Sequence, residues 1–429
     1  MMRQSISNYR WVVVTLLFFA TTINYLDRQV IGLLKDNLAK DFNWSEKDYG
    51  RIVMAFSTAY AIALVIFGRL IDKIGTRLGY IVSVLIWSVA AMCHALAGGT
   101  MGFAIARTAL GIGEGGNFPA AIKAVAEWFP KKDRALATGI FNSGSNMAAF
   151  IGPPLIAWIF TSYGWKQAFL WTGALGFVWL LFWFWLYDIP SKNKRISLAE
   201  LAYIESDRDE VINDPIIKPR WSQLFHLRQT WAFVIGKFLT DPVWWFYLFW
   251  IPSYFNSTYH LNLTSSAIHV STVYIIASFG SVLGGWLSGR LIKKGLPVYK
   301  ARKYAMFFFA CCVVPIFFVR FATSIWPAVW LISLAAAAHQ AWSANIFTLA
   351  SDMFPKYTLS SVVGIGGMAG SAGGILFPFL IGMILEHFKG LGQLSTGYNI
   401  IFGICSIAYL LAWMIMQLLS PRMKFVAII

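Results

Sequence analysis

The chain has 429 residues, of which 58% are hydrophobic and 13% charged, and its formal net charge at pH 7 is +16. Soluble domains carry about 25% charged residues, so the composition excludes an ordinary soluble protein and indicates an all-α membrane protein. The positive charge does not indicate nucleic acid as a partner, because Lys and Arg concentrate in alternate loops between apolar segments. That distribution predicts a lipid bilayer as the surroundings.

Twelve apolar segments lie close to the ~20 residues that an α-helix needs to cross a bilayer. They cover residues 11–34, 49–70, 78–98, 101–125, 134–158, 165–187, 231–254, 266–290, 303–321, 325–350, 359–384 and 397–419. Most Lys and Arg residues fall in the termini and the even-numbered loops, which predicts that both termini are cytoplasmic.

The loop after the second predicted span combines glycines, one acid and several basic residues in the run Gly68-Arg-Leu-Ile-Asp72-Lys-Ile-Gly75-Thr-Arg77. A short glycine-bounded turn lets Asp72 meet a helix end and a basic partner, for which Arg134 is the candidate. A loop that only sets topology would explain the basic residues but not the acid. We therefore predict a conformational lock on the cytoplasmic side that involves Gly68, Asp72, Gly75, Arg77 and Arg134.

The longest polar stretch, residues 188–230, divides the chain into two six-helix halves, residues 1–187 and 231–429. Within it, Ser197-Leu-Ala-Glu200 predicts a capped amphipathic helix that ends before Asp214-Pro215. The halves resemble each other, since Ala126–Lys131 is similar to Ser351–Lys356, 225 residues later. Six spans per half give parallel repeats, whose substrate sites lie near the membrane midplane between the halves.

The first, fourth, seventh and tenth predicted spans carry ionisable side chains away from their ends, although a charge at mid-bilayer costs roughly 2.5–3.5 kcal/mol on insertion scales. The charged pairs are Asp27 with Arg28 in the first span, Arg107 with Glu114 in the fourth, and Lys237 with Asp241 in the seventh; His339 and Gln340 lie in the tenth. One interpretation is structural ion pairing, including Glu114 with Arg107. The other is transport: protonating Asp27 and Glu114 would leave two cations uncompensated, which creates a site for a carboxylate anion.

Several of these motifs resemble known families. The loop Gly68–Arg77 resembles the signature of the major facilitator superfamily. The runs Asn24–Arg28 and Arg107–Pro119 resemble the anion:cation symporter family within it, and this resemblance extends over essentially the whole chain. It implies that Asp27 and Glu114 are protonation sites, and that Arg28 and Arg107 bind the anion or pair with those acids. It also implies cavity-lining positions at Tyr25 and Tyr60.

The second half looks like the hexuronate carriers for galacturonate and glucuronate, in the runs Lys237–Trp244 and Ala338–Ser343. The resemblance implies that Lys237 meets the uronate carboxylate, whereas carriers of the galactonate type have a neutral amide there. His339, Gln340 and Asn345 can meet sugar hydroxyls, and Trp244 can stack on the sugar ring. Core or interfacial packing is the alternative for Trp244, and a satisfied core histidine is the alternative for His339.

The sequence therefore predicts a monomeric, proton-coupled symporter of a bacterial inner membrane that imports a hexuronate or a similar sugar acid by alternating access. Alternatives are a symporter for another organic anion, such as an aldonate, tartrate or an aromatic acid, and a transporter-like membrane sensor. The sequence contains no Walker A motif, no His/Cys metal cluster and no nucleophile elbow. We therefore expect no catalytic residues, metal or cofactor.

Overall fold

The computed structural model describes residues 8–206, 221–261 and 263–426. Within these ranges, twelve helical spans follow one another along the chain. They are Tyr9–Leu33, Glu46–Ile74, Thr76–Cys93, Thr100–Glu114 with Asn117–Trp128, Lys131–Asn142 with Gly144–Tyr163, Trp165–Leu186, Arg228–Tyr259, Leu263–Lys293, Val298–Val313 with the 3-10 helix Val314–Phe321, Ile325–Met353, Leu359–Gly390 and Leu394–Leu419. The predicted all-α membrane fold with twelve spans is confirmed.

Among the described residues, eight helices are long and apolar enough to cross a membrane by length and composition alone. The fourth and fifth spans are each divided into two shorter helices, at Gly115-Gly116 and at Ser143. Several helices also run past their predicted ends, because polar terminal turns continue the helix beyond the apolar layer. The seventh span, for example, extends from Arg228 to Tyr259.

The linker between the halves packs onto the start of the first span. Its helix Leu198–Ile204 is capped by Ser197, whose Oγ accepts a hydrogen bond from the Glu200 N–H at 3.1 Å. The Glu200 carboxylate in turn accepts hydrogen bonds from the backbone N–H groups of Tyr9 and Arg10, at 3.1 and 3.0 Å. A negative charge at a helix N-terminus is favourable. The rest of the predicted linker helix, up to Asp214-Pro215, lies outside the described residues.

We call the end of the bundle that carries this linker helix the linker end. There, Asp72 accepts hydrogen bonds from the backbone N–H groups of Ser360 and Ser361, at 3.2 and 2.8 Å, and from the Ser361 hydroxyl at 2.7 Å. Its ionic partner is Lys123, at 3.1 Å. The first half thus contacts the beginning of the eleventh span directly.

The predicted pairing of Asp72 with Arg134 is wrong. Arg134 instead pairs with Asp352 at 3.3 Å and donates to the Ser351 carbonyl at 2.9 Å. Both side chains do bridge the halves, but at different places. Asp72 meets the N–H and O–H donors at the start of the eleventh span, whereas Arg134 meets the end of the tenth.

Of the remaining predicted lock residues, Arg77 and Gly75 have local roles in this conformation, whereas Gly68 lies at the contact between the halves. Arg77 pairs at 3.1 Å with Asp188, the first residue of the linker. Gly75 has φ +87°, a backbone conformation that side chains with a Cβ rarely adopt, so the turn between the second and third spans requires glycine. Gly68 lies against the backbone of Ser360. A role for this set as a lock stays a prediction.

The halves approach each other closely where the eleventh span meets the second. A Cβ built on Gly364 would lie 2.2 Å from the carbonyl oxygen of Leu64, so the two helix backbones are in contact. Together with the Asp72 and Arg134 contacts, this packing closes the linker end in the described conformation.

Gly364→Val should therefore open the linker end. Overpacking costs about 1–3 kcal/mol, and here the clash is with a backbone that cannot move aside without separating the halves. Distances between spin labels on the two halves at this end, measured by pulsed electron resonance, should lengthen. Gly382→Val, on the same helix, is the matched control, since a Cβ built at Gly382 meets nothing within 4 Å. Equal distance distributions in Gly364→Val and Gly382→Val would show that the contact at Gly364 does not hold the linker end closed.

Candidate functional site: a cavity between the halves

A cavity lies between the two halves and is lined by polar, charged and aromatic side chains. Those from the first half are Tyr25, Arg28, Tyr60, Leu64, Phe118, Asn142 and Ser145; those from the second half are Lys237, Asp241, Trp244, Trp245, His339, Gln340, Ser343, Phe347, Val363, Gly367 and Ser371. One cation from each half, Arg28 and Lys237, thus faces the same space.

Arg28 forms the ionic centre of the first half. Its Nη2 lies 2.7 Å from Glu114 Oε2, and its Nε donates to the same oxygen at 2.9 Å. The guanidinium carbon lies 4.7 Å from the ring centre of Tyr25 and 4.5 Å from that of Tyr60. The ring centre of Phe56 lies 5.0 Å from the same carbon. Four neighbours therefore fix the guanidinium in place, three of them by cation–π contact.

Glu114 itself is fully buried and does not line the cavity. It is the last residue of the first helix of the fourth span, which ends at the glycine pair. A negative charge at a helix C-terminus is unfavourable, so the pair with Arg28 compensates for the position of this carboxylate. Arg28 stands at the cavity wall with Glu114 as its partner, and the structural pairing of Glu114 with Arg107 considered from the sequence is not the one formed.

Arg107 and Asp27 also lie outside the cavity lining. Arg107 donates from Nη2 to the backbone carbonyl of Arg28 at 2.7 Å, so it supports the helix that carries Arg28. Asp27 is buried, near Thr172 of the sixth span and the charge of Arg107. Direct contact between Arg107 and a substrate, which the sequence predicted as one option, does not fit this conformation.

Lys237 and Asp241 form the ionic pair of the second half, at 2.7 Å and one helical turn apart. The Lys237 ammonium also lies 4.1 Å from the ring centre of Phe347. Both charged residues line the cavity. The second half thus repeats the arrangement of the first, in which a cation at the wall is held by an acid and an aromatic ring.

Trp244 and His339 stack on each other at the cavity wall, with ring centres 5.1 Å apart and planes 8° from parallel. His339 Nδ1 also shares a short hydrogen bond with the Tyr409 hydroxyl. This contact occupies one ring nitrogen and fixes the orientation of the imidazole. Trp244 therefore has a packing partner and at the same time borders the cavity, so both interpretations made from the sequence describe part of its position.

A chain of amides crosses from one half to the other. The Asn142 side-chain amide donates to Gln340 Oε1 at 2.8 Å, and Gln340 Nε2 donates to Asn146 Oδ1 at 3.3 Å. These groups can exchange hydrogen bonds with sugar hydroxyls without any change of charge. Asn345 is turned away instead, since its amide donates to the carbonyls of Gly284 and Ala341 at 3.0 and 2.9 Å.

Most of the side chains predicted for substrate binding come together in this cavity: Tyr25, Arg28, Tyr60, Lys237, Trp244, His339 and Gln340. Arg107 and Asn345 are the exceptions. Asn142, Ser145 and Phe347 also line the cavity and were not predicted from the sequence. A signal for the first two was present in the polar run Asn142-Ser-Gly-Ser-Asn146 inside a predicted span, whereas nothing distinguishes Phe347 from the other 34 phenylalanines.

Comparisons with known proteins agree with the fold. The family model described as Major Facilitator Superfamily matches residues 17–378. The hexuronate transporter of Escherichia coli (strain K12) is 30% identical over 96% of this chain and 95% of its own length. The galacturonate transporter of Dickeya chrysanthemi is 34% identical over 66% of this chain and 82% of its own length.

Among solved structures, the proton:xylose symporter XylE bound to 6-bromo-6-deoxy-D-glucose superposes with a TM-score of 0.77, covering 98% of each chain at 16% identity. At that identity the likeness shows the fold alone. The relatives share membrane transport rather than an enzymatic reaction. The chain is accordingly a multi-pass membrane transporter that belongs to the major facilitator superfamily.

Proposed function

We propose that this protein is a proton-coupled symporter that imports a sugar-acid anion, most specifically a hexuronate, across a bacterial inner membrane with both termini in the cytoplasm. One observation carries the proposal: two acid-paired cations, Arg28 and Lys237, face one cavity from opposite halves. A monocarboxylate sugar acid offers one anionic group and several hydroxyls, which fits two cations beside an amide network.

Proton coupling follows from the Arg28–Glu114 pair. While Glu114 is ionised, its carboxylate occupies the guanidinium of Arg28. A proton on Glu114 removes that negative charge, so Arg28 gains affinity for a substrate carboxylate in the cavity. By thermodynamic linkage, the bound anion favours protonation by the same factor. Asp27 provides a second buried acid in the same half, close to Arg107.

Side chains of the second half support a hexuronate as the substrate. Lys237 adds a cation opposite Arg28, and Gln340 with Asn142 offers amide donors and acceptors to ring hydroxyls. The flat Trp244–His339 stack suits the face of a pyranose ring. The names of the two relatives described above, a hexuronate and a galacturonate transporter, support this substrate class.

Uptake of labelled galacturonate by proteoliposomes tests the proposal. An acidic exterior should drive accumulation, by about tenfold for each coupled proton at a gradient of one pH unit, since one unit corresponds to ~1.4 kcal/mol. A protonophore should abolish it. Galacturonate uptake that does not depend on the pH gradient would contradict proton coupling. The absence of any uptake would favour a membrane sensor. Competition by glucuronate, galactonate, tartrate and benzoate ranks the substrate classes.

A further inference from the structure

A second cavity, of about 150 Å³, lies at the linker end, apart from the substrate cavity. Its polar and aromatic lining consists of Lys131, Tyr299, Arg302, Asp352, Arg422 and Phe425. This volume exceeds the ~30 Å³ share of a single water several-fold, so it can admit a small multi-atom anion. None of these residues belongs to the substrate cavity.

The end of the described chain forms one wall of this cavity. After the twelfth span, residues 420–426 fold back onto the second half, where the Lys303 ammonium donates to the Pro421 carbonyl and the Val426 N–H donates to the Met353 carbonyl at 2.8 Å. Met423 and Val426 are buried in this arrangement. The segment is therefore held in place, which positions Arg422 and Phe425 at the cavity.

The cavity carries an excess of positive charge. Asp352 is the acid in its lining, and its two carboxylate oxygens already hold Arg134 at 3.3 Å and Arg302 at 3.0 Å. In contrast, the Arg422 guanidinium and the Tyr299 hydroxyl form no hydrogen bond or ion pair with the described residues. One cation and one neutral donor thus face the cavity with their binding capacity unused.

The same cavity spans the boundary between the halves. Lys131 begins the fifth span, in the first half, while the other five lining residues named above belong to the second half. Arg302 Nη2 donates to the Lys131 carbonyl at 2.7 Å, and the Lys131 ammonium lies 5.9 Å from the ring centre of Phe425. A ligand that touches both Lys131 and Arg422 requires the halves to be together at this end.

We propose that this cavity binds a small anion through a carboxylate or phosphate group, and that the bound anion stabilises the conformation closed at the linker end. Anything that binds one conformation shifts the equilibrium towards it. The consequence for transport rests on the proposed function: with the linker end in the cytoplasm, an accumulated organic acid holds the carrier closed on that side and slows further import.

The test measures conformation and needs neither transport nor a proton gradient, so it is independent of the proposed symport. Spin-labelled amino acids replace Lys73 and Lys300, which are exposed at the linker end of the first and second halves. The full-length protein is placed in phosphatidylcholine nanodiscs and titrated with inorganic phosphate, which probes this cavity without a sugar moiety. We expect phosphate to increase the population with the short distance.

Arg422→Gln should raise the half-saturating phosphate concentration about tenfold, which corresponds to ~1.4 kcal/mol, because glutamine removes the guanidinium charge that faces the cavity. Arg422→Lys should retain most of the response. Lys424→Gln is the matched control, since Lys424 is an exposed cation of the same segment that does not line the cavity. No response to phosphate overturns the proposal. An equal loss in both glutamine variants also overturns it, and indicates general charge screening instead.

The source of the anion is distinguished by lipid composition. If nanodiscs that contain phosphatidylglycerol show the short distance without added phosphate, and Arg422→Gln abolishes this effect, the phosphate group comes from a lipid headgroup. If the short distance still requires free phosphate in those nanodiscs, the ligand is a soluble anion. Replacing phosphate by galacturonate, and comparing the unchanged protein with Arg422→Gln, then shows whether the transported class itself binds here.

Discussion

Glu114→Gln is expected to abolish uphill uptake of the sugar acid while sparing exchange. Glutamine cannot ionise, so Arg28 loses its ionic partner permanently and the cavity resembles the protonated state. Substrate should still bind and cross in counterflow, where no net proton movement is needed. Under an inward proton gradient, the accumulation ratio of labelled galacturonate should fall to about 1, because no coupling free energy remains at this site.

Glu127→Gln serves as the matched control for Glu114→Gln. Glu127 is an acid of the same span, but its carboxylate accepts hydrogen bonds from Thr76 and Tyr187, at 2.8 and 2.6 Å, within the first half and outside the cavity. Gradient-driven uptake should survive this change once expression is equalised. Uphill uptake that persists in Glu114→Gln would transfer the coupling role to Asp27 or to another acid.

The fold could be predicted from the sequence because the bilayer imposes a strong constraint on it. Each span must satisfy its own backbone hydrogen bonds in lipid, so apolar segments of sufficient length have to be helical. Composition does not detect the break at Gly115-Gly116, because it depends on packing against neighbouring helices. Nor does it reveal that the segment from Ser420 to Val426 folds back, since that contact is made between residues far apart in the chain.

The composition of the cavity was also largely predictable, because a charge inside a span needs a partner or a polar space. The identities of the partners were not. Spacing on one helix offered Arg107 as one possible partner for Glu114, yet Arg28 of another span pairs with the carboxylate. Likewise, Asp72 and Arg134 each bind the opposite half, at different places. Sequence spacing predicts which residues share a helix face, whereas pairs between helices depend on rotations that only the packed structure determines.

In the proposed function, Lys237 is the residue through which the second half would distinguish substrates. It lines the cavity, pairs with Asp241 at 2.7 Å and faces the same space as Arg28. Two cations in opposite halves can share one carboxylate, or one can bind the carboxylate while the other binds a hydroxyl. Either arrangement links substrate binding to the approach of the halves, which is the step that alternating access requires.

Lys237→Gln should raise the KM for galacturonate by about 10- to 100-fold, since a hydrogen bond to a charged group contributes roughly 1.5–3 kcal/mol. The effect on galactonate should be smaller if an amide at this position suits an aldonate. Rates of labelled uptake at several concentrations separate KM from the maximal rate. Lys237→Arg retains the charge and should recover part of the affinity.

Removing Lys237 also leaves Asp241 without its ionic partner, and an unpaired carboxylate in the cavity would repel the substrate by itself. The double variant Lys237→Gln/Asp241→Asn separates the two causes, because it removes both charges together. If Lys237 binds the substrate, the double variant keeps the raised KM. If its KM returns to that of the unchanged protein, Lys237 serves only to neutralise Asp241, and Arg28 alone must hold the carboxylate.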